Sequence, residues 1–138
     1  MIALRLTIDS FAWIELIRGT PLGIEAKRLV EGAESCFTPA IVLAEVAHRC
    51  LWDGFEKPLM QLELRAILES SRVVPIDPDL AMDASAATTE LRKRAEELRL
   101  RPPGLADGLI LATARRMASR LLTSDPHFRG LGVTLWLG

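Results

Sequence analysis

The chain is poor in several residue types on which particular functions depend. Only Cys36 and Cys50 occur in 138 residues, too few and too far apart for a disulfide framework or a Cys-rich metal site. Buried free thiols in a reducing compartment are the simpler reading. Asparagine is absent, Gln61 is the only glutamine and arginine heavily outnumbers lysine, a pattern that fits a GC-rich genome or a hot habitat. No apolar run reaches the roughly 18 residues that a membrane span needs. Arg5 and Asp9 close behind Ile2-Ala3-Leu4 leave no signal-peptide core, so the expected location is cytoplasmic. A net charge of -1 excludes a strongly basic nucleic-acid coat while leaving room for a local basic strip. Also missing are a P-loop, a G-x-G-x-x-G turn and a G-x-S-x-G nucleophile elbow. No repeat, low-complexity stretch or linker divides the chain, and a single domain over 1–138 is expected.

What is present is an ordinary globular composition, 49% hydrophobic and 25% charged, arranged as short apolar runs separated by helical periodicity. Ala3 to Ile8 reads as a strand ending at Asp9-Ser10, with Ser10 placed to cap a helix through Trp13 and Ile17. Gly19-Thr20-Pro21 ends that helix and opens another to Gly32. A second strand follows at Ser35-Cys36-Phe37. Thr38-Pro39 then starts a helix to about Trp52, and Pro58 to Ser70 repeats the helical period. Arg72 to Ile76 is a third strand. Asp77 or Asp79 caps a long helix to about Leu100, whose charge-rich part from Glu90 to Arg101 reads as a solvated face. Pro102-Pro103-Gly104 breaks the chain before a helix containing Asp107. Strands Leu121 to Thr123 and Val133 to Leu137 complete it. Strands alternating with helices imply an α/β fold: a central parallel sheet with helices on both faces. The three tryptophans fall in these patterns as core or interface packing.

Four acids stand out. Asp9 and Asp125 each follow a strand, and ligand sites in open α/β sheets form outside the carboxyl ends of the strands. Asp107 shares a helical face with Ile110, Leu111 and Ala114, and Glu45 lies among Ile41, Val42 and Val46. No Lys or Arg shares the Asp107 face, so a buried carboxylate there needs a partner from elsewhere or a cation. Each acid also has a structural use. Asp9 and Asp125-Pro126 suit turns, Asp107 suits a helix N-terminus, and Glu45 is spaced to pair with His48 or Arg49.

If the four meet, their repulsion calls for a hard divalent cation. Oxygen ligands without His or Cys favour Mg²⁺ or Mn²⁺ over Zn²⁺. Such a site activates water against a phosphodiester. Ser10, Thr123 and Ser124 then read as hydrogen-bonding support for the neighbouring acids. His48 and His127 lack metal-ligand spacing and receive no role. Arg18, Arg115, Arg116 and Arg129 flank these elements in sequence and are the candidates for contact with the phosphate backbone of such a substrate.

With these motifs in order, the chain resembles the PIN-domain ribonucleases, and among them the VapC-type toxins of toxin–antitoxin pairs. The resemblance rests on Asp9-Ser10, on Ala44-Glu45-Val46, on Asp107-Gly108-Leu109-Ile110-Leu111-Ala112-Thr113-Ala114, and on Leu122-Thr123-Ser124-Asp125-Pro126-His127-Phe128. It implies a PIN-like three-layer fold, with Asp9, Glu45, Asp107 and Asp125 as metal-binding catalytic acids and Thr123 as a supporting hydroxyl. It further implies a Mg²⁺- or Mn²⁺-dependent endoribonuclease, a homodimer, and a small VapB-like antitoxin partner as part of a type II system. The alternatives are a non-catalytic PIN-like module that binds RNA or protein, and a phosphohydrolase of small substrates. The lack of a suitable Lys and of a nucleotide-cradling loop counts against the latter.

Overall fold

A computed structural model describes residues 3–138. The elements run β1 (Arg5–Ile8), α1 (Ser10–Arg18), α2 (Pro21–Gly32), β2 (Ser35–Pro39), α3 (Ala40–Trp52) and α4 (Lys57–Ser70). They continue with β3 (Arg72–Val74), α5 (Pro78–Leu98), α6 (Leu105–Arg116), β4 (Arg120–Thr123), a 3-10 turn (Pro126–Phe128) and β5 (Thr134–Trp136). All neighbouring strands are parallel, in the order β3-β2-β1-β4-β5. Helices cover both faces, which gives the three-layer α/β architecture of a PIN-like fold.

The strand order places the switch in winding direction between β1 and β4, the pair from whose ends Asp9 and Asp125 emerge. A crevice at the carboxyl edge is a consequence of that topology. Leu6, Ile8, Val42, Val46, Ile110, Leu111, Leu121 and Leu122 are buried together in the main core. Phe37, Val74, Leu80, Ala84, Leu109 and Ala112 form a second cluster that seats α5 and α6 on the sheet. Trp13 is buried in the main core, whereas Trp52 is 80% exposed and lies outside it.

Two caps differ from expectation. Asp9, not Ser10, caps α1, because its carboxylate accepts the Ser10 amide. Thr38 stays in β2, its hydroxyl accepting the Trp13 indole N–H at 3.2 Å and sharing a hydrogen bond with Ser71. Pro39 takes the cap position of α3 with no side-chain bond. Thr20 caps α2 through the Gly23 amide and Asp77 caps α5 through the Leu80 amide, in line with the sequence. Among the described residues, no helix is long and apolar enough to cross a membrane.

Candidate functional site

Asp9 lies at the C-terminal end of β1, only 1% exposed, and its backbone amide is still in the ladder with the Leu122 carbonyl. Its Oδ1 accepts the Ser10 amide at 2.7 Å and the Ser10 hydroxyl at 3.3 Å. Oδ2 accepts the Thr123 hydroxyl at 2.6 Å. Burial raises the Asp9 carboxyl to about 7; Asp125 and Glu45 add repulsion, and the Thr123 hydrogen bond opposes the rise. A hydrogen-bonded carboxylate with such a value lacks a compensating positive charge.

Thr123 also accepts the Asp125 amide at 2.9 Å, so a single hydroxyl fixes both acids. Asp125 is 7% exposed. Its Oδ1 accepts both the backbone N–H of His127, at 3.0 Å, and the imidazole Nδ1, at 2.8 Å. The other ring nitrogen, Nε2, donates to the Arg101 carbonyl at 2.7 Å. When the imidazole is protonated, Nδ1 donates to Asp125 as well, so both ring nitrogens are used at once. Burial works against that charge, yet the Arg101 and Asp125 acceptors outweigh it and raise the His127 pKa.

Asp107 stands in the first turn of α6 and reaches back through Oδ2 to the Gly104 amide at 3.1 Å. Burial raises its carboxyl, with Asp125 adding to the effect. Gly108 is what allows α6 to lie so close to α5: a Cβ there would stand 1.9 Å from Thr88 Oγ1 and 2.4 Å from the Ala84 carbonyl oxygen. Glu45 comes from α3 and is raised chiefly by burial, with Asp107 and Asp125 adding and the Ser10 hydroxyl opposing. It pairs with neither His48 nor Arg49; Arg49 turns to Asp53 at 3.4 Å. Among the described residues the buried Glu45 Oε1 has no hydrogen-bond partner.

The four carboxylates thus arrive from β1, α3, α6 and the segment after β4, and each feels at least one other. Among the described residues no Lys or Arg pairs with any of them. An orphaned buried oxygen, an oxygen-only donor set and the raised Asp9, Glu45 and Asp107 carboxyls suit a hard cation. The acids are neighbours around a shared space rather than a closed cage: among the described residues no three metal-ligating side chains cluster tightly enough to enclose an ion. Repulsion between like charges and the separate hydrogen bonds of Asp9, Asp107 and Asp125 account for the spread.

The other candidates divide. Ser10 and Thr123 stand at the acids, and Ser124, half-buried, separates Thr123 from Asp125. Arg18 lines a groove with Ser10, Phe11, Glu45 and His48 and pairs with Asp53 at 2.6 Å. Arg129 lies just beyond the His127 turn, its guanidinium 4.7 Å from the Trp136 ring centroid. Arg115 and Arg116 do not flank the pocket. At 1.5 Å per residue, α6 carries them roughly 12–14 Å along its axis from Asp107, to the opposite edge of the sheet where Arg5 donates to Met117 O. There they pair with Glu90 and Asp77.

Sequence reading missed His127 and Arg94. Arg94 belongs to the run taken for a solvated face, yet it donates to the His127 carbonyl at 2.8 Å and to the Arg129 carbonyl. Arg92 in the same run donates to the Pro103 carbonyl at 3.1 Å. The two-residue spacing of Asp125 and His127, which fits a side-chain turn, was the available signal for His127.

The PIN domain family model matches residues 6–133. Among solved structures, a toxin–antitoxin complex from Klebsiella pneumoniae contains a chain similar at TM-score 0.69 and 21% identity, covering 96% of this chain and 98% of that one. VapBC-1 from nontypeable Haemophilus influenzae gives 0.69 and 18% identity over 96% of each chain. Mycobacterium tuberculosis VapC20, described as a sarcin–ricin loop cleaving toxin, gives 0.68 and 20% identity over 92% of this chain and 95% of that one. No curated protein sequence matches the chain.

Proposed function

The chain belongs to the PIN-domain family, and from that membership we propose that it is a metal-dependent endoribonuclease, the VapC-like toxin of a type II toxin–antitoxin pair. One observation carries the reading. Four carboxylates from separate segments lie within electrostatic reach of one another beside the switch point of the sheet, and among the described residues no Lys or Arg pairs with them.

Asp9, Glu45, Asp107 and Asp125 are the residues that would hold Mg²⁺ or Mn²⁺. A bound divalent ion supplies a nucleophilic water and stabilises charge on the phosphoryl oxygens. The chain's own residues prepare the site. Thr123 aims Oδ2 of Asp9 and, through the Asp125 amide, the segment that carries the fourth acid. The Ser10 amide fixes the other oxygen of Asp9. His127 holds Oδ1 of Asp125, the kind of outer support that orients ligating carboxylates. Burial excludes water from Asp9 and strengthens its attraction for a cation.

Solved structures of similar fold occur in toxin–antitoxin complexes, which supports a small VapB-like antitoxin as partner; the proposal also includes a homodimeric toxin and a cytoplasmic setting, which two free thiols suit. The absence of a closed ligand cage among the described residues favours the second reading, a PIN-like module that binds RNA or protein without turnover. Cleavage of a mixed RNA substrate by antitoxin-free protein decides between them, run with Mg²⁺, with Mn²⁺ and with chelator. The expected result is cutting that needs the metal and disappears in Asp107→Asn. Well-folded protein that cuts nothing under either metal overturns the nuclease reading.

A further inference from the structure

Four carboxylates grouped at one edge of the sheet repel a phosphate backbone, so a nuclease built on them needs cations nearby to draw the strand in. Arg18, Arg115 and Arg116 are engaged by Asp53, Glu90 and Asp77. Arg101 and Arg129 are exposed and, among the described residues, have no carboxylate in ion-pair range. Both stand on segments anchored to the site. His127 bridges Asp125 and the Arg101 carbonyl, and Arg94 holds the carbonyls of His127 and Arg129.

Arg129 has a further feature, since its guanidinium lies over the half-buried Trp136 ring. Trp136 is in register with Thr123, and the Leu137 amide donates to the Thr123 carbonyl at 2.8 Å. Paired residues of neighbouring strands leave the sheet on the same face, with strands roughly 4.8 Å apart. The indole therefore emerges one strand away from the hydroxyl that holds Asp9, on the same side.

Guanidinium and indole planes are the surfaces on which unpaired bases stack. Resting on the nuclease reading, we infer that Arg129 and Trp136 form a stacking platform for one unstacked base next to the acid pocket, with Arg101 as a neighbouring phosphate contact. The platform takes its base from an unpaired segment of the RNA, because a base inside a duplex has no free face to offer.

The test uses the full chain carrying Asp107→Asn, so that RNA is bound without being cut, and a short labelled single-stranded RNA of mixed sequence, read by anisotropy across a salt titration. Trp136→Ala should weaken binding by about tenfold or more, while Trp136→Phe, which retains an aromatic face, stays near the parent. Arg129→Ala and Arg101→Ala should each weaken binding and flatten the salt dependence by about 0.7 in log–log slope. A duplex of the same sequence should be insensitive to Trp136→Ala. Circular dichroism and thermal melts check each variant, and should Trp136→Ala lose its fold, the exposed Arg129→Ala decides. Parent-like binding of single-stranded RNA by folded Trp136→Ala and Arg129→Ala overturns the platform while leaving the nuclease intact. Failure of the unmutated chain to cut RNA and of Asp107→Asn to bind it overturns the underlying reading instead.

Discussion

The Thr123 hydroxyl donates to Asp9 at 2.6 Å while accepting the Asp125 amide at 2.9 Å. Through this hydroxyl, side chains at the ends of two adjacent strands, more than a hundred residues apart in sequence, are held in one geometry. The arrangement depends on the parallel pairing of β1 with β4, which brings Ile8 into register with Leu122.

Thr123→Val keeps the shape and removes the donor and acceptor. A buried carboxylate oxygen and a buried amide are then left without partners, at a cost of about 1–3 kcal/mol. The Asp9 carboxyl should rise further, since the Thr123 hydrogen bond is what opposes its rise. Denaturant unfolding should show the loss, and Thr123→Ser should recover most of it. A valine variant as stable as the parent would remove Thr123 from the support of the site.

Asp9 also sets a pH dependence opposite to that of an ordinary ion-paired acid. Its carboxyl is raised from 3.8 to about 7, so the folded state holds the proton more tightly than the unfolded chain. The stabilising contribution is complete below the unfolded value and is lost as pH climbs from about 4 to about 7. Without divalent cation, Asp9→Asn should lose less stability than the parent between about pH 5 and about pH 8. Adding Mg²⁺ or Mn²⁺ should restore the parent at the higher pH, because a cation bound only by the folded, ionised site stabilises it by mass action. Melting curves at the two pH values, with and without metal, check both statements.

The parts of the fold readable from the sequence were those with a local cause. Asp9 and Asp125 end short apolar runs, and Asp107 opens a helix after Pro102-Pro103-Gly104, so their common edge follows from parallel topology. Arg94 was illegible because an arginine in a charged run has the same local pattern whether it points to water or reaches the carbonyls of His127 and Arg129. Arg115 and Arg116 misled for the converse reason. Eight or nine residues from Asp107 is near in sequence, but a helix turns that separation into distance along its axis.

Their engagement elsewhere has a measurable consequence. Arg115→Ala and Arg116→Ala break exposed pairs with Glu90 and Asp77, which should cost at most about 1 kcal/mol. RNA affinity and its salt dependence should remain those of the parent, in contrast to Arg129→Ala. A flattened salt slope in either variant would place the far end of α6 in the RNA path after all.

Gly108 connects packing to the site most directly. It follows Asp107, and a methyl group added there would collide with the Thr88 hydroxyl and with the Ala84 carbonyl. The second obstacle is backbone, so rotating a side chain cannot relieve it, and α6 must move away from α5. Overpacking of this kind costs about 1–3 kcal/mol or more. The displaced helix carries Asp107 with it, so Gly108→Ala should lose RNA cleavage by a larger factor than its fall in stability explains at a temperature where it remains folded. Trimming the first obstacle with Thr88→Ala should restore little, since the Ala84 carbonyl stays in place. Full rescue by that second change would show that the Thr88 hydroxyl alone sets the spacing, and that α6 has more freedom over α5 than the backbone contact allows.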